Sequence, residues 1–284
     1  MARSVRIGDR WVGDEHPVYV IAEAGLNHGG DLALAVKMIE AAAVAGADAI
    51  KFQAFDTDQR FGDDESTKAL VRPAEFHREQ FAALATTAKR HGIHFFSTAF
   101  DDAKVGMLAS LGVPAMKVAS CDIANYGLLR TIAAAGVPAI VSRGTANQEE
   151  IDRALAIFNE RRLPHVLLHC VSSYPLKDED ANLRAVHALR DAYADTPIGY
   201  SDHTIGTDVA LYAVYAGACV IEKHFTLDRE LKGIDWEISV NPGELATLVR
   251  NLRRAETILG RGRIEALACE ADEVRYRTTL RMNG

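Results

Sequence analysis

Apolar and polar positions along the chain fall into two alternating kinds of segment. Short, nearly continuous apolar runs occur at Val18–Gly25, Ala49–Phe55, His94–Phe100, Ala115–Ser120, Ala139–Gly144, Val166–Ser173, Pro197–Asp202 and Val220–Thr226. Their length and β-branched content predict strands buried on both faces. Between them lie segments of helical periodicity, such as LALAVKMIEAAAVAGA, REQFAALATTAKRHG and PGELATLVRNLRRAETIL. Several end in AGAD, HGIH, LGVP, AGVP or AGAC, where glycine stops the helix. Eight strand–helix units predict an α/β chain folded as a closed (β/α)8 TIM barrel; an open doubly wound sheet seldom needs eight evenly spaced units. The opening VRIGDRWVG alternates and turns at Gly8-Asp9, which predicts a short N-terminal hairpin closing the bottom of the barrel. Residues 1–262 are expected to form the catalytic barrel with its hairpin, and the charged segment 263–284 a tail or linker stub.

Composition narrows the function. The 284 residues are 48% hydrophobic, enough for one large core, and carry a net charge of −7 without a long basic run, so nucleic acid and anionic membrane are poor partners. No stretch of 18 or more apolar residues and no signal-like N-terminus occurs, which gives a soluble, cytoplasmic expectation. The four cysteines lie far apart. Cys170 and Cys219 read as reduced core thiols, while Cys121 stands at a strand end as a weak functional candidate.

In such a barrel chemistry gathers where strands end and helices begin. Reading those ends in order gives Glu23, Asn27 and His28; Lys51 and Gln53; Ser97 and Thr98; Lys117, Ser120 and Asp122; Ser142 and Arg143; Ser172, Ser173 and Tyr174; Ser201, Asp202 and His203; Glu222, Lys223 and His224; then Asp235 and Glu237 in a loop. A lone strand-end histidine is ordinarily a core residue. His203 and His224 end successive strands, and two imidazoles there can begin a divalent-metal site. Lys51 and Lys117 sit in apolar strands, where a lysine is costly unless it meets an anion, forms an imine, or pairs with a carboxylate such as Glu23 or Asp122. A Schiff-base aldolase wants one desolvated lysine. Two lysines among strand-end hydroxyls look more like a phosphate or carboxylate cradle beside a metal.

The segments IAEAGLNHGGDLALAVKMIEAAAVAGADAIKFQAF, HFFSTAFD, MKVASCDIANYGLL, LLHCVSSYP, GYSDHTIG and EKHFTLD resemble the sialic acid synthase family, whose members condense phosphoenolpyruvate with an amino-sugar aldehyde. The resemblance runs from about Val18 to Leu259 and implies the same barrel fold. It implies that Lys51, Thr98, Lys117, Ser120, Ser142 and Ser201 hold phosphoenolpyruvate, with Ser172 a shorter contact where members often carry Asn. His203 and His224 match the metal ligands, with manganese the expected ion and magnesium or cobalt as alternatives. Glu23 and Asp122 become the candidate acid and base. Arg143, Asp122, Tyr174 and Asp235 are the candidate acceptor contacts, and Gln53 is a further substrate-binding candidate. Departures are Ser120-Cys121-Asp122 for the usual SGE and Arg143 for a small residue. Typical bacterial members also continue into an antifreeze-like domain whose arginine reaches the partner subunit's acceptor site, and this chain is expected to lack it.

The expected function is therefore metal-dependent condensation of phosphoenolpyruvate with an N-acetylmannosamine-like aldehyde, releasing phosphate by C–O cleavage, in a homodimer. The alternatives are the same condensation on another aldehyde, or a catalytically silent barrel that binds.

Overall fold

A computed structural model describes residues 3–260, 262–274 and 276. The opening segment folds as the alternation predicts. Strands β1 (Ser4–Ile7) and β2 (Arg10–Gly13) pair antiparallel about the Gly8-Asp9 turn, from Ser4 opposite Gly13 to Ile7 opposite Arg10. Ile7 and Val12 are fully buried. His94 clamps this hairpin, with Nε2 2.7 Å from the Asp9 carboxylate and Nδ1 2.7 Å from the Tyr19 hydroxyl. Because His94 begins a barrel strand, the hairpin lies across the N-terminal ends of the strands, away from the end where strands run into helices.

Eight parallel strands follow: β3 (Tyr19–Gly25), β4 (Ala49–Ala54), β5 (His94–Ala99), β6 (Met116–Val118), β7 (Ala139–Ser142), β8 (His165–His169), β9 (Ile198–Asp202) and β10 (Val220–His224). Each pairs with the next, and β10 closes on β3. The predicted runs at Ala115–Ser120 and Val166–Ser173 outlast their strands by several residues. Hydrophobicity records burial, whereas a strand ends where its neighbour's ladder ends, at Val118 opposite Val141 and at His169 opposite Tyr200.

The connecting helices form the outer ring. They are α1 (Leu32–Val44), α2 (Thr57–Phe61), α3 (Glu65–Val71), α4 (Arg78–Arg90), α5 (Asp102–Ser110) and α6 (Tyr126–Ala135), then α7 (Gln148–Glu160), α8 (Arg184–Ala192), α9 (Asp208–Tyr215), α10 (Pro242–Leu259) and the short α11 (Ala271–Val274). Their ends follow local chemistry. Asp31 caps α1 by accepting from the Ala33 and Leu34 amides, and Asn241 with Glu244 forms a capping box on α10. Gly136 ends α6 at φ 71°, a left-handed conformation that glycine adopts without a Cβ clash. Residues 262–273 are exposed, and of the expected tail 263–284, residues 275 and 277–284 lie outside the described residues. Among the described residues no helix is long and apolar enough to cross a membrane.

Candidate active site

Alternation along each strand sorts the polar residues of the mouth into two populations. Glu23, Lys51, Gln53, Thr98, Lys117, Ser142, Ser201, Glu222 and His224 turn into a cavity of about 450 Å³ at the C-terminal end of the barrel. The residues between them face outward. Asp202 and Lys223 pair there at 2.9 Å with no exposure at all, and so belong to the barrel wall. A register shift in β3 between Glu23 and Gly25 bends the chain as it enters the mouth.

At the centre lies a network of two lysines and two glutamates. Lys51 Nζ is 3.1 Å from Glu23 Oε2 and 3.4 Å from Glu222 Oε1, and donates to Thr98 Oγ1 at 3.3 Å. Lys117 Nζ donates to Ser142 Oγ at 2.7 Å and lies 3.6 Å from Glu222 Oε1. Ser201 donates to the same Glu222 oxygen at 3.0 Å, and Gln53 donates to Glu23 Oε1 at 3.1 Å. All four charged groups are at most 4% exposed.

Their proton affinities diverge for identifiable reasons. Burial pushes Glu23 up to about 7, with Glu222 adding to the rise and Lys51 opposing it. Burial acts on Glu222 in the same sense, but Lys117 and Lys51 flank it and hold it below the usual carboxylate range. Burial opposes charge on Lys51, yet the two carboxylates hold it above the ordinary lysine value. Lys117 is lowered, because burial and the like charge of Lys51 outweigh its pull from Glu222. Glu23 Oε2 and Glu222 Oε2 are buried without a hydrogen-bond partner among the described residues. Buried oxygens in that condition are costly, which fits a cavity shaped to receive donors or protons from outside the chain.

The two histidines stand on the adjacent wall. His203 follows the last residue of β9 and His224 ends β10, with ring centroids 5.6 Å apart. His203 Nδ1–H donates to the Val171 carbonyl at 2.7 Å, which leaves Nε2 as a free lone pair. His224 Nδ1 is buried with no hydrogen-bond partner, 3.5 Å from Asp235 Oδ2. Burial pushes both imidazoles below their ordinary value, toward the neutral form that binds metals. Tyr174 stacks on His203 with centroids 4.2 Å apart. Asp235 is held over the mouth by a tied loop: Asn27 Nδ2 donates to the Phe225 carbonyl and to Ser239 Oγ, and Ser239 donates to the Asp235 carbonyl. Two imidazoles and an orphaned nitrogen fit a divalent cation. Among the described residues no three or more His, Cys, Asp or Glu side chains are gathered for one, so the remaining coordination would fall to oxygens from outside the chain.

Three expected site residues are placed elsewhere. Arg143 follows inward-facing Ser142 and so turns outward, where Nε donates to His169 Nδ1 at 3.1 Å and the side chain lines a separate groove beside α7. It is corrected from an acceptor contact to a support for buried His169. Arg143→Ala should therefore leave acceptor KM unchanged but lower stability by about 1–3 kcal/mol through the unsatisfied histidine; kinetics together with urea unfolding check this. Asp122 does not line the cavity either. The turn Ser120–Asp122 carries its carboxylate toward Arg60, 3.6 Å away, so the inner carboxylates are Glu23 and Glu222. Ser172 is exposed outside the cavity and reaches it only through a 3.0 Å hydrogen bond to Ser120. Gly144, at φ 49°, lets these loops meet, since a Cβ there would lie 2.3 Å from Ser120 Cβ. All four cysteines are free; Cys170 and Cys219 are buried, and Cys121 is exposed on the cavity wall.

Three contributors escaped the sequence reading. Glu222 stood among the strand-end residues without a role, although His224 facing inward obliges Glu222 to do the same. Arg60 and Phe61 come from the short helix α2, within a polar segment, DTDQRFGDDES, that carries no periodic signal.

Known proteins resemble this chain in sequence and in fold. The NeuB family pattern matches residues 38–264. The chain is 38% identical to the N-acetylneuraminate-9-phosphate synthase of Mus musculus, over 92% of this chain and 76% of that protein. It is 40% identical to the N,N'-diacetyllegionaminic acid synthase of Legionella pneumophila, over 88% of this chain and 75% of that one. The crystal structure of an N-acetylneuraminic acid synthetase from Leptospira borgpetersenii, in complex with citrate, superposes with a TM-score of 0.96 at 49% identity, covering 99% of each chain.

Proposed function

The chain belongs to the NeuB family, and from that membership we propose that it joins phosphoenolpyruvate to a sugar aldehyde, giving a 2-keto-3-deoxy sugar acid and inorganic phosphate. It is an enzyme, a transferase of the sialic acid synthase type. The observation that carries the reading is the convergence of Lys51, Lys117, Thr98 and Ser142 with Glu23 and two neutral histidines around one cavity.

In this reading C3 of phosphoenolpyruvate attacks the aldehyde carbon, water adds at C2, and phosphate leaves with its bridging oxygen. Lys117 and Ser142 hold the donor's anionic groups, and Ser120 and Thr98 extend the same face. Lys51 and Ser201 already engage the glutamates, so they act on the donor largely by fixing Glu222 and Glu23. Glu23, with its proton affinity near neutrality, holds the proton that the aldehyde oxygen acquires. Gln53, Tyr174 and Asp235 line the acceptor's end of the cavity. His203 and His224 would hold a divalent ion, manganese by preference, which when bound supplies Lewis-acid polarisation of the aldehyde.

Phosphate release from phosphoenolpyruvate with a panel of aldoses, with and without Mn²⁺, tests the reading; no aldehyde-dependent release would refute it. The histidines have their own test. His203→Ala and His224→Ala should each weaken Mn²⁺ binding by about 10-fold or more in direct titration. Undiminished affinity in both would take the metal away from this pair.

A further inference from the structure

Beyond the two inner lysines, the cavity carries a third cation whose donors are mostly unspent. Arg60, near the end of α2, lines the same cavity closer to solvent, with its side chain 24% exposed. Its guanidinium carbon sits 3.4 Å over the Phe100 ring and 5.6 Å from the Phe61 ring. Of its five N–H donors, only Nη2 meets an acceptor among the described residues, and that acceptor is the weak Sγ of Cys121 at 3.4 Å. The one carboxylate nearby, Asp122, makes a loose 3.6 Å ion pair without a directed hydrogen bond. The fork is thus oriented by stacking, with most of its hydrogen-bonding capacity unspent.

We propose that Arg60 is the specificity-determining residue for the acceptor, receiving a phosphate on the end of the sugar remote from its aldehyde. The proposal rests on the condensation described above. With the aldehyde at Glu23 and the histidine pair, all at most 6% exposed, the far end of the sugar extends toward the more exposed part of the same cavity, which Arg60 lines. A hydroxyl at that exposed position gains little over water, whereas a phosphate meets a planar fork that matches its oxygens two at a time. Overall identity does not distinguish the acceptors: the relative named for a phosphorylated product is 38% identical and the one named for a legionaminic acid is 40% identical.

The test compares Arg60→Met, Arg60→Lys and the parent chain in steady-state kinetics with phosphoenolpyruvate, a divalent cation, and either N-acetylmannosamine or its 6-phosphate. The parent should show a markedly lower KM for the phosphorylated sugar. Arg60→Met should raise that KM by about 10- to 100-fold, many times more than it changes the KM for the unphosphorylated sugar. Arg60→Lys should recover part of the loss, since it restores a point charge without the fork. A parent without preference for the phosphorylated sugar, or an Arg60→Met effect equal for both sugars, overturns the assignment of Arg60 while leaving the condensation intact. No phosphate release with any aldehyde overturns the condensation and this inference with it.

Discussion

Lys117→Met is expected to lower kcat/KM for phosphoenolpyruvate by about 10²-fold or more, the scale of a lost transition-state donor, and to leave the barrel at least as stable as the parent. The two halves have one physical origin. Lys117 is 3% exposed, its proton affinity is lowered by burial, and its closest partner is the neutral Ser142 hydroxyl at 2.7 Å. A cation kept in that condition costs the fold something, and methionine fills the same space without a charge to desolvate. The linkage sign agrees. A lysine whose folded affinity lies below its unfolded one binds protons less readily in the native state, so it opposes folding at every pH below its unfolded value. Steady-state kinetics and urea unfolding read the two effects separately. Wild-type kinetics would remove Lys117 from the donor site, and a large loss of stability would show that its charge is structural.

Lys51→Met should behave in the opposite way toward stability. Lys51 lies between Glu23 and Glu222 at 3.1 and 3.4 Å, and its proton affinity is raised by them despite burial. Removing one partner from a buried ionic cluster leaves charge uncompensated, at a cost of about 3–5 kcal/mol. Because the folded affinity exceeds the unfolded one, the stabilisation from Lys51 is complete at neutral pH and lost only above the lysine range. In the variant, a proton taken up by Glu23 relieves part of the repulsion, so the deficit should shrink from about pH 7.5 to about pH 5. Urea midpoints at the two pH values measure this. An unchanged midpoint at both would mean that the glutamates are neutralised in some other way.

The contrast between these lysines shows where sequence reading stops. Both sit in apolar strands, in AIKFQ and AMKVAS, and both announced a buried cation. Which one is held between two carboxylates depended on Glu23, which pairs with Lys51 alone, while both lysines lie within 3.6 Å of Glu222, from a strand more than a hundred residues away. Its part was implicit in the alternation of VIEKH, as Arg143's exclusion was in the alternation of IVSRG, because adjacent residues of a strand face opposite sides. A resemblance carries residues over by position, whereas strand phase asks which way each one points.

By itself, the sequence determined the hairpin, the eight strand–helix units, the closed parallel barrel and the inward ring of Glu23, Lys51, Thr98, Lys117, His203 and His224. Those features follow from local signals: hydrophobic runs, helix periodicity, glycine stops and charges where a core would not keep them. Tertiary structure alone decided that Lys51 is bound and Lys117 underpaired, that the Asp122 carboxylate turns to Arg60 and not into the cavity, and that the short helix α2 lends Arg60 to the mouth. These are consequences of barrel closure, which sets β10 beside β3, and of loops meeting across it. Such distances arise between segments that no periodicity links, and a buried charge takes its character from whichever group closure brings within about 4 Å.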